Sequence, residues 1–163
     1  MTESNPPACF FDTSALIKHY FEERGSDVVD RIFAHPDTLR LITDITMIEF
    51  HSAFARRVRM GEIDAEEFQG AKAEFEADIR ARRLRVEVLL EEDKAEAARL
   101  IEQYGLEQQL RTLDAIQLAV MKRLGPEQLS AVYCADRPFI VILEAEGFTV
   151  INPETASPPS GSQ

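Results

Sequence analysis

Five short apolar segments, separated by stretches of helical character, constrain the fold of this chain more than any other feature. The strand candidates are ACFF, LRLIT, LRVEVLL, SAVYC and FTVI. LRVEVLL alternates apolar and charged residues, which is typical of a strand near the edge of a sheet. Because strands that alternate with helices form parallel sheets covered by helices, the sequence predicts an α/β fold with a mainly parallel sheet. A length of 163 residues and 45% apolar content suit one compact domain.

Four acidic residues follow predicted strands or lie on predicted helices close to the apolar segments. Asp12 directly follows ACFF, Asp136 comes two residues after SAVYC, and Glu49 and Asp114 lie on predicted helices. The carboxyl ends of parallel strands share one edge of a sheet, so Asp12 and Asp136 are expected at the same edge. Two carboxylates about 6 Å apart repel by roughly 3 kcal/mol at an effective dielectric near 20. A divalent cation would remove that repulsion, and oxygen ligands suit Mg²⁺ or Mn²⁺.

Each acid also has a simpler explanation. Asp12 and Asp136 each precede a predicted helix and suit a helix cap. Asp114 falls in a first helical turn, where the helix dipole favours acids. Glu49 shares a helical stripe with Arg56 and could form an ion pair with it. The expected convergence of all four at one sheet edge is what these separate explanations account for least well.

The helix boundaries can be predicted in three places. Asp44 is expected to cap a long helix that ends near Gly61. The segment TLDAIQLAVMKRLG is apolar almost all round, which predicts a buried helix. RPFIVILEAEG contains the strand-like run IVIL, but Pro138 in a first turn favours a helix. The apolar residues 140–143 exceed what one helix face needs, which suits either a partner surface or complete burial.

The charge limits how this chain can contact nucleic acid. The net charge is −11, whereas proteins that bind nucleic acid through broad backbone neutralisation are usually basic. Any such contact must be local and must use metal ions and a few arginines, for which Arg56 and Arg57 are candidates. The second arginine cluster, at residues 80–85, is equally well explained as the solvated end of a helix.

The remaining composition points to a cytoplasmic protein. No apolar stretch is long enough to span a membrane, and no basic leader precedes an apolar segment. Cys9 and Cys134 lie in apolar runs and are predicted to be buried thiols. His19 and His51 are expected on helices and His35 in a turn, so none of the histidines is predicted to act in catalysis.

Four stretches of the sequence resemble the PIN domain family, and in particular the toxin ribonucleases of bacterial VapBC toxin–antitoxin pairs. They are FFDTSALIKHY, TDITMIEFHSA, LRTLDAIQLAV, and ADRPF followed by EAEGFTVINP. The resemblance implies a three-layer α/β/α fold with a PIN-like nuclease domain at residues 8–153. A polar lead, residues 1–7, and a disordered tail, residues 154–163, would flank this domain.

The same resemblance implies a function and a set of site residues. Asp12, Glu49, Asp114 and Asp136 would be catalytic and would bind Mg²⁺ or Mn²⁺, with Ser14 as a supporting hydroxyl. The substrate would be RNA, cut by metal-activated water, and the partners would be a cognate antitoxin and a second copy of the chain. One position departs from the family: Cys134 stands where a threonine or serine is common, and a thiol is a weak hydrogen-bond partner.

Three other hypotheses compete with that of a metal-dependent nuclease. A haloacid dehalogenase-type phosphotransferase needs a second acid where this chain has Ser14, and serine is no general acid at neutral pH. A response-regulator receiver domain would have an acidic pair after the first strand and a lysine after the last. This sequence has neither. The third is a PIN-like domain that binds a partner without cutting RNA.

Overall fold

The computed structural model describes residues 7–156. In this part of the chain, strands and helices alternate largely as the apolar segments predict. The strands are β1 Ala8–Phe11, β2 Leu39–Thr43, β3 Arg85–Glu87, β4 Ala131–Tyr133 and β5 Val150–Ile151. The helices are α1 Thr13–Tyr20, α2 Ser26–Ala34, α3 Asp44–Met60, α4 Ala65–Arg80, α5 Glu91–Tyr104, α6 Thr112–Leu124 and α7 Arg137–Ala145. No helix of residues 7–156 is both long and apolar enough to cross a bilayer.

The five strands form one parallel sheet in the order β3-β2-β1-β4-β5. Phe10 in β1 lies opposite Leu41 on one side and Val132 on the other. The chain builds the sheet outward from β1 in one direction and then in the other, so the order reverses between β1 and β4. In open parallel sheets, ligands bind at the carboxyl ends of the strands beside such a reversal.

Helices cover both faces of the sheet, which confirms the predicted three-layer α/β/α fold. Side chains of successive strand residues point to opposite faces, and Phe10 and Phe11 therefore enter different cores. Phe10 packs with residues of α5, α6 and α7. Phe11 packs with residues of α1, α3 and α4. Both rings are fully buried, so β1 is the shared centre of the two cores.

The start of α3 corrects one prediction. Thr43, the last residue of β2, is the N-cap, and its side chain accepts a hydrogen bond from the backbone N–H of Thr46 at 3.2 Å. Asp44 is the first residue of the helix, and its carboxylate accepts a hydrogen bond from the backbone N–H of Leu89 at 3.2 Å. The prediction that Asp44 caps the helix was wrong because the strand ends on a residue that can itself cap.

The C-terminal elements follow the prediction. The segment RPFIVILEAEG forms α7, with Pro138 in its first turn. Ile142 and Leu143 are buried, whereas Val141 is 57% exposed. The apolar run therefore belongs mainly to the core and is not a continuous exposed patch. Cys9 and Cys134 are buried free thiols, as predicted.

The end of the described chain returns to α1. Glu154 forms an ion pair with the buried ammonium group of Lys18 at 2.8 Å, and Glu23 pairs with the same group at 2.9 Å. Most of the predicted lead, residues 1–6, and of the predicted tail, residues 157–163, lie outside the described residues.

Candidate active site

A cavity of about 370 Å³ opens at the carboxyl ends of β1 and β4, beside the reversal in strand order. All four acids singled out in the sequence contribute to its wall. The lining residues are Asp12, Thr13, Ser14, Glu49, Arg111, Thr112, Leu113, Asp114 and Asp136. Folding thus brings together side chains from α1, α3, α6 and the ends of two neighbouring strands.

Asp12 is held at the end of β1 by its neighbours on both sides. Its backbone N–H donates to the carbonyl of Tyr133 in β4 at 3.0 Å. Its carboxylate caps α1 by accepting from the backbone N–H of Ser14 at 3.1 Å, and the Ser14 hydroxyl donates to the same oxygen. That hydroxyl also accepts from the N–H of Ala135 at 2.9 Å, so Ser14 ties β1 to the chain after β4.

Cys134 supports Asp12 rather than the carboxylate of Asp136. Its thiol lies 3.7 Å from Asp12 Oδ2 and 3.8 Å from the backbone oxygen of Asp136. Burial raises the pKa of the Cys134 thiol, and the nearby Asp12 carboxylate raises it further. The thiol therefore stays protonated and is a weak donor to Asp12.

Asp136 is the N-cap of α7 and accepts a hydrogen bond from the N–H of Phe139 at 3.2 Å. The capping roles considered for Asp12 and Asp136 are thus both real. They do not compete with a place in the cavity, because one carboxylate oxygen is enough for the cap of α7 and the other faces Arg111.

Glu49 projects from α3 and is oriented by two partners. Its Oε2 accepts from the Thr13 hydroxyl at 2.6 Å and from the side-chain amide of Gln117 at 2.8 Å. The considered ion pair with Arg56 is not formed. The amide oxygen of Gln117 is buried and has no hydrogen-bond partner among residues 7–156.

Asp114, in the first turn of α6, is 7% exposed and pairs with Arg111. Arg111 Nε donates to Asp114 Oδ2 at 3.1 Å, and Arg111 Nη2 donates to Asp136. The sequence analysis did not single out Arg111. Its position three residues before Asp114, across one helical turn, was the available signal.

The carboxylates that line the cavity are buried and repel one another, so ionising them is unfavourable. Burial raises the pKa of Asp12, against the hydrogen bonds from Ser14. Burial also raises the pKa of Glu49 to about 7, and the charges of Asp12 and Asp114 add to that shift. The pKa of Asp114 is raised by burial as well, although Arg111 opposes the change. The Asp114 carboxylate in turn raises the pKa of Arg111.

These acids line one cavity, but they are not arranged as a complete metal-binding site. Within residues 7–156, no three His, Cys, Asp or Glu side chains are grouped closely enough to hold an ion as they stand. Their oxygens are instead engaged by Arg111, Thr13, Gln117 and Ser14.

The other arginines and the histidines lie outside the cavity wall. Arg57 pairs with Glu23 at 2.7 Å and with Glu62 at 3.0 Å, so its charge is already balanced. The cluster at residues 80–85 ends on the first residue of β3 and therefore lies toward the amino ends of the strands. His19 pairs with Asp30 at 2.5 Å and does not line the cavity.

The sequence matches the model of one protein family, described as the PIN domain, over residues 9–131. The chain belongs to the PIN domain family. The match contains three of the four acids, whereas Asp136 and Cys134 lie beyond its end. None of the curated proteins compared with this PIN domain matched it.

Three solved structures show the same fold. VapC20 of Mycobacterium tuberculosis, a sarcin–ricin loop cleaving toxin, has a TM-score of 0.65 and 21% identity over 86% of this chain and 96% of its own. FitAcB from Neisseria gonorrhoeae has a TM-score of 0.65 and 17% identity, over 91% of this chain and 99% of its own. A toxin–antitoxin complex from Klebsiella pneumoniae has a TM-score of 0.57 and 18% identity, over 89% and 97%.

Proposed function

We propose that this PIN domain is a divalent-metal-dependent endoribonuclease and the toxin of a type II toxin–antitoxin pair. The observation that carries the proposal is the convergence of Asp12, Glu49, Asp114 and Asp136 on one cavity beside the reversal in strand order. These acids come from sequence positions 12 to 136, so only the tertiary fold can explain their meeting.

The donor set of the cavity fits a hard divalent cation. Four carboxylates share the cavity wall with one guanidinium, and burial raises the pKa of three of them. Carboxylate oxygens are preferred ligands of Mg²⁺ and Mn²⁺. Asp12, Glu49, Asp114 and Asp136 would hold the ion. When bound, it would activate a water molecule and stabilise charge on the phosphodiester undergoing displacement.

The residues of the chain itself orient the acids. Ser14 fixes Asp12, Thr13 and Gln117 fix Glu49, and the cap of α7 fixes Asp136. Fixed carboxylates reduce the reorganisation needed when a cation and a substrate bind. A covalent route through Cys134 is disfavoured, because its thiol is fully buried and its raised pKa keeps it protonated.

The solved structures support the choice of substrate and partner. VapC20 is a toxin that cleaves the sarcin–ricin loop, and the Klebsiella structure is a toxin–antitoxin complex. For this chain we propose RNA as the substrate, a cognate antitoxin as the partner, and a homodimer. Light scattering after size-exclusion chromatography tests the dimer, and a monomer at micromolar concentration contradicts it.

A ribonuclease assay tests the proposed activity. Asp12→Asn and Asp114→Asn each remove one carboxylate, and both are expected to abolish cleavage of labelled single-stranded RNA in Mn²⁺. Asp37→Asn, which changes an exposed aspartate outside the cavity, serves as the control and should cleave as the wild type does. Chelation by EDTA should stop the reaction. Unchanged cleavage by both site variants would refute the assignment.

A second candidate function is a PIN-like domain that binds its partner without cutting RNA. It is favoured by Arg111, which neutralises two of the four acids, and by the lack of a finished metal centre in residues 7–156. Calorimetric titration with Mn²⁺ separates the two functions, because a domain that only binds a protein partner has no need to take up the ion.

A further inference from the structure

Arg111 connects the N-termini of two helices through their acids. It directly precedes α6, and its guanidinium donates both to Asp114 in the first turn of that helix and to Asp136, the cap of α7. Among the described residues that line the cavity, Arg111 is the single basic side chain. The guanidinium therefore lies between two of the acids proposed to bind a divalent ion.

The positive charge of Arg111 has opposite effects on the site without a metal ion and on the site with one bound. Without a metal ion, the guanidinium reduces the repulsion among the buried carboxylates. With an ion bound to the same carboxylates, two like charges would lie close together and repel each other. Asp114 and Asp136 would also have to lose their hydrogen bonds from Arg111 so that the same carboxylate oxygens could bind the ion.

We propose that Arg111 is an internal counter-cation that competes with the divalent ion for Asp114 and Asp136 and so sets the metal affinity of the site. This inference rests on the metal site of the proposed function. It makes Arg111 a positioning residue, since it acts through the two acids.

The surroundings allow Arg111 to move when an ion binds. Its side chain is 59% exposed, so no core packing holds it in place. A second cavity of about 420 Å³ adjoins the first and shares Arg111 and Asp136 with it. Its other lining residues are Gln109, Ala135, Arg137 and Pro138. The guanidinium can turn into this space without displacing a buried side chain.

Calorimetric titration of the whole 163-residue chain with Mn²⁺, in the absence of RNA, tests the proposal. Arg111→Met keeps an apolar stem similar to that of arginine and removes the charged guanidinium, and it should bind Mn²⁺ about five- to tenfold more tightly than the wild type. Arg111→Gln is a second charge-free variant and should behave in the same way. Arg111→Lys retains the charge and should stay near the wild-type affinity. Arg59→Met changes an exposed arginine outside the cavity and should have no effect.

Thermal unfolding gives a second measurement that does not depend on activity. Without metal, Arg111→Met should unfold at a lower temperature than the wild type, because the acids lose their counter-ion. Saturating Mn²⁺ should raise the unfolding temperature of Arg111→Met by more than it raises that of the wild type. A variant stabilised equally by the ion would contradict the competition.

The possible failures can be told apart. If the wild type and the charge-free variants bind Mn²⁺ with equal affinity, or if the variants bind it more weakly, the role of Arg111 is overturned and the metal site stands. If neither the wild type nor any variant takes up Mn²⁺, the metal-dependent function is overturned together with this inference.

Discussion

The hydroxyl of Thr13 donates a hydrogen bond of 2.6 Å to the carboxylate of Glu49, a residue 36 positions further along the chain. The residue that follows the first acid therefore orients the second. This bond favours the ionised form of Glu49 and partly offsets the effect of burial, which raises its pKa. The two helices that carry these residues, α1 and α3, are coupled through it.

Replacing Thr13 with valine removes this hydrogen bond and keeps the shape of the side chain. The pKa of Glu49 should rise further above its value of about 7. Mn²⁺ binding, which needs the ionised acid, should then require a higher pH, by about one unit. Titrations with Mn²⁺ from pH 6 to 9 measure the shift. Thr149→Val, at an exposed position, is the matched control, and an identical pH profile for Thr13→Val would show that the bond has no influence.

Glu49 should make the metal-free protein less stable as the pH rises. Its pKa is about 7 in the folded state against 4.5 for the free side chain, so the folded state holds the proton more tightly. Stability should fall as the pH increases from about 4.5 to 7 and should stay low above that range. Glu49→Gln should therefore stabilise the metal-free protein by about 1–2 kcal/mol at pH 8, after allowance for solvent screening.

Urea unfolding at pH 5 and at pH 8 measures this difference. The glutamine can still accept hydrogen bonds from Thr13 and Gln117, so the comparison isolates the charge. Glu22→Gln changes an exposed glutamate outside the cavity and is the control. Equal stabilisation at both pH values would contradict the role assigned to the charge of Glu49.

Cys134→Ser should strengthen the support of Asp12. A hydroxyl is a better donor than a thiol, and the Cys134 sulfur lies 3.7 Å from the Asp12 carboxylate. The stronger bond should lower the pKa of Asp12 and improve Mn²⁺ affinity about two- to fivefold at pH 6. Calorimetry measures the affinity, with Cys9→Ser, a buried thiol outside the cavity, as the control. A loss of affinity would show that the thiol is better adapted to the site.

Arg137 is the arginine best placed to contact an RNA phosphate beside the acids. It is exposed, it lines the cavity that adjoins the acidic one, and it pairs with no acid of residues 7–156. Arg137→Gln should weaken the binding of a non-cleavable single-stranded oligonucleotide by roughly threefold and reduce the salt dependence of binding by about one charge. Fluorescence anisotropy at several salt concentrations measures both. Arg59→Gln is the control, and equal losses for the two variants would indicate only general charge attraction.

The topology could be predicted because it depends on local patterns. Apolar segments that alternate with helices indicate a parallel sheet, and parallel strands place the residues after β1 and β4 at one edge. Asp12 and Asp136 were predicted together for this reason, and the fold places them in one cavity. The burial of α6 also followed from its composition.

The partners of the acids could not be predicted in the same way. Gln117 and Thr13 meet Glu49 across 68 and 36 positions of sequence, and such contacts depend on rotamers and on helix packing. Arg111 was missed because its bridge to Asp136 exists only once α6 and α7 are in place. The predicted role of Arg57 lost support because nearby glutamates already bind it.

The central position of β1 has a consequence for synthesis. This strand leaves the ribosome first among the strands, yet its neighbour β4 is separated from it by 120 residues or more. Until that late segment has emerged, the wall that carries Asp136 does not exist, and Asp12 faces an incomplete sheet. A nascent chain that has not yet reached β4 would therefore lack the proposed site, and the proposed cleavage of RNA would require the ribosome to have released the chain past Asp136.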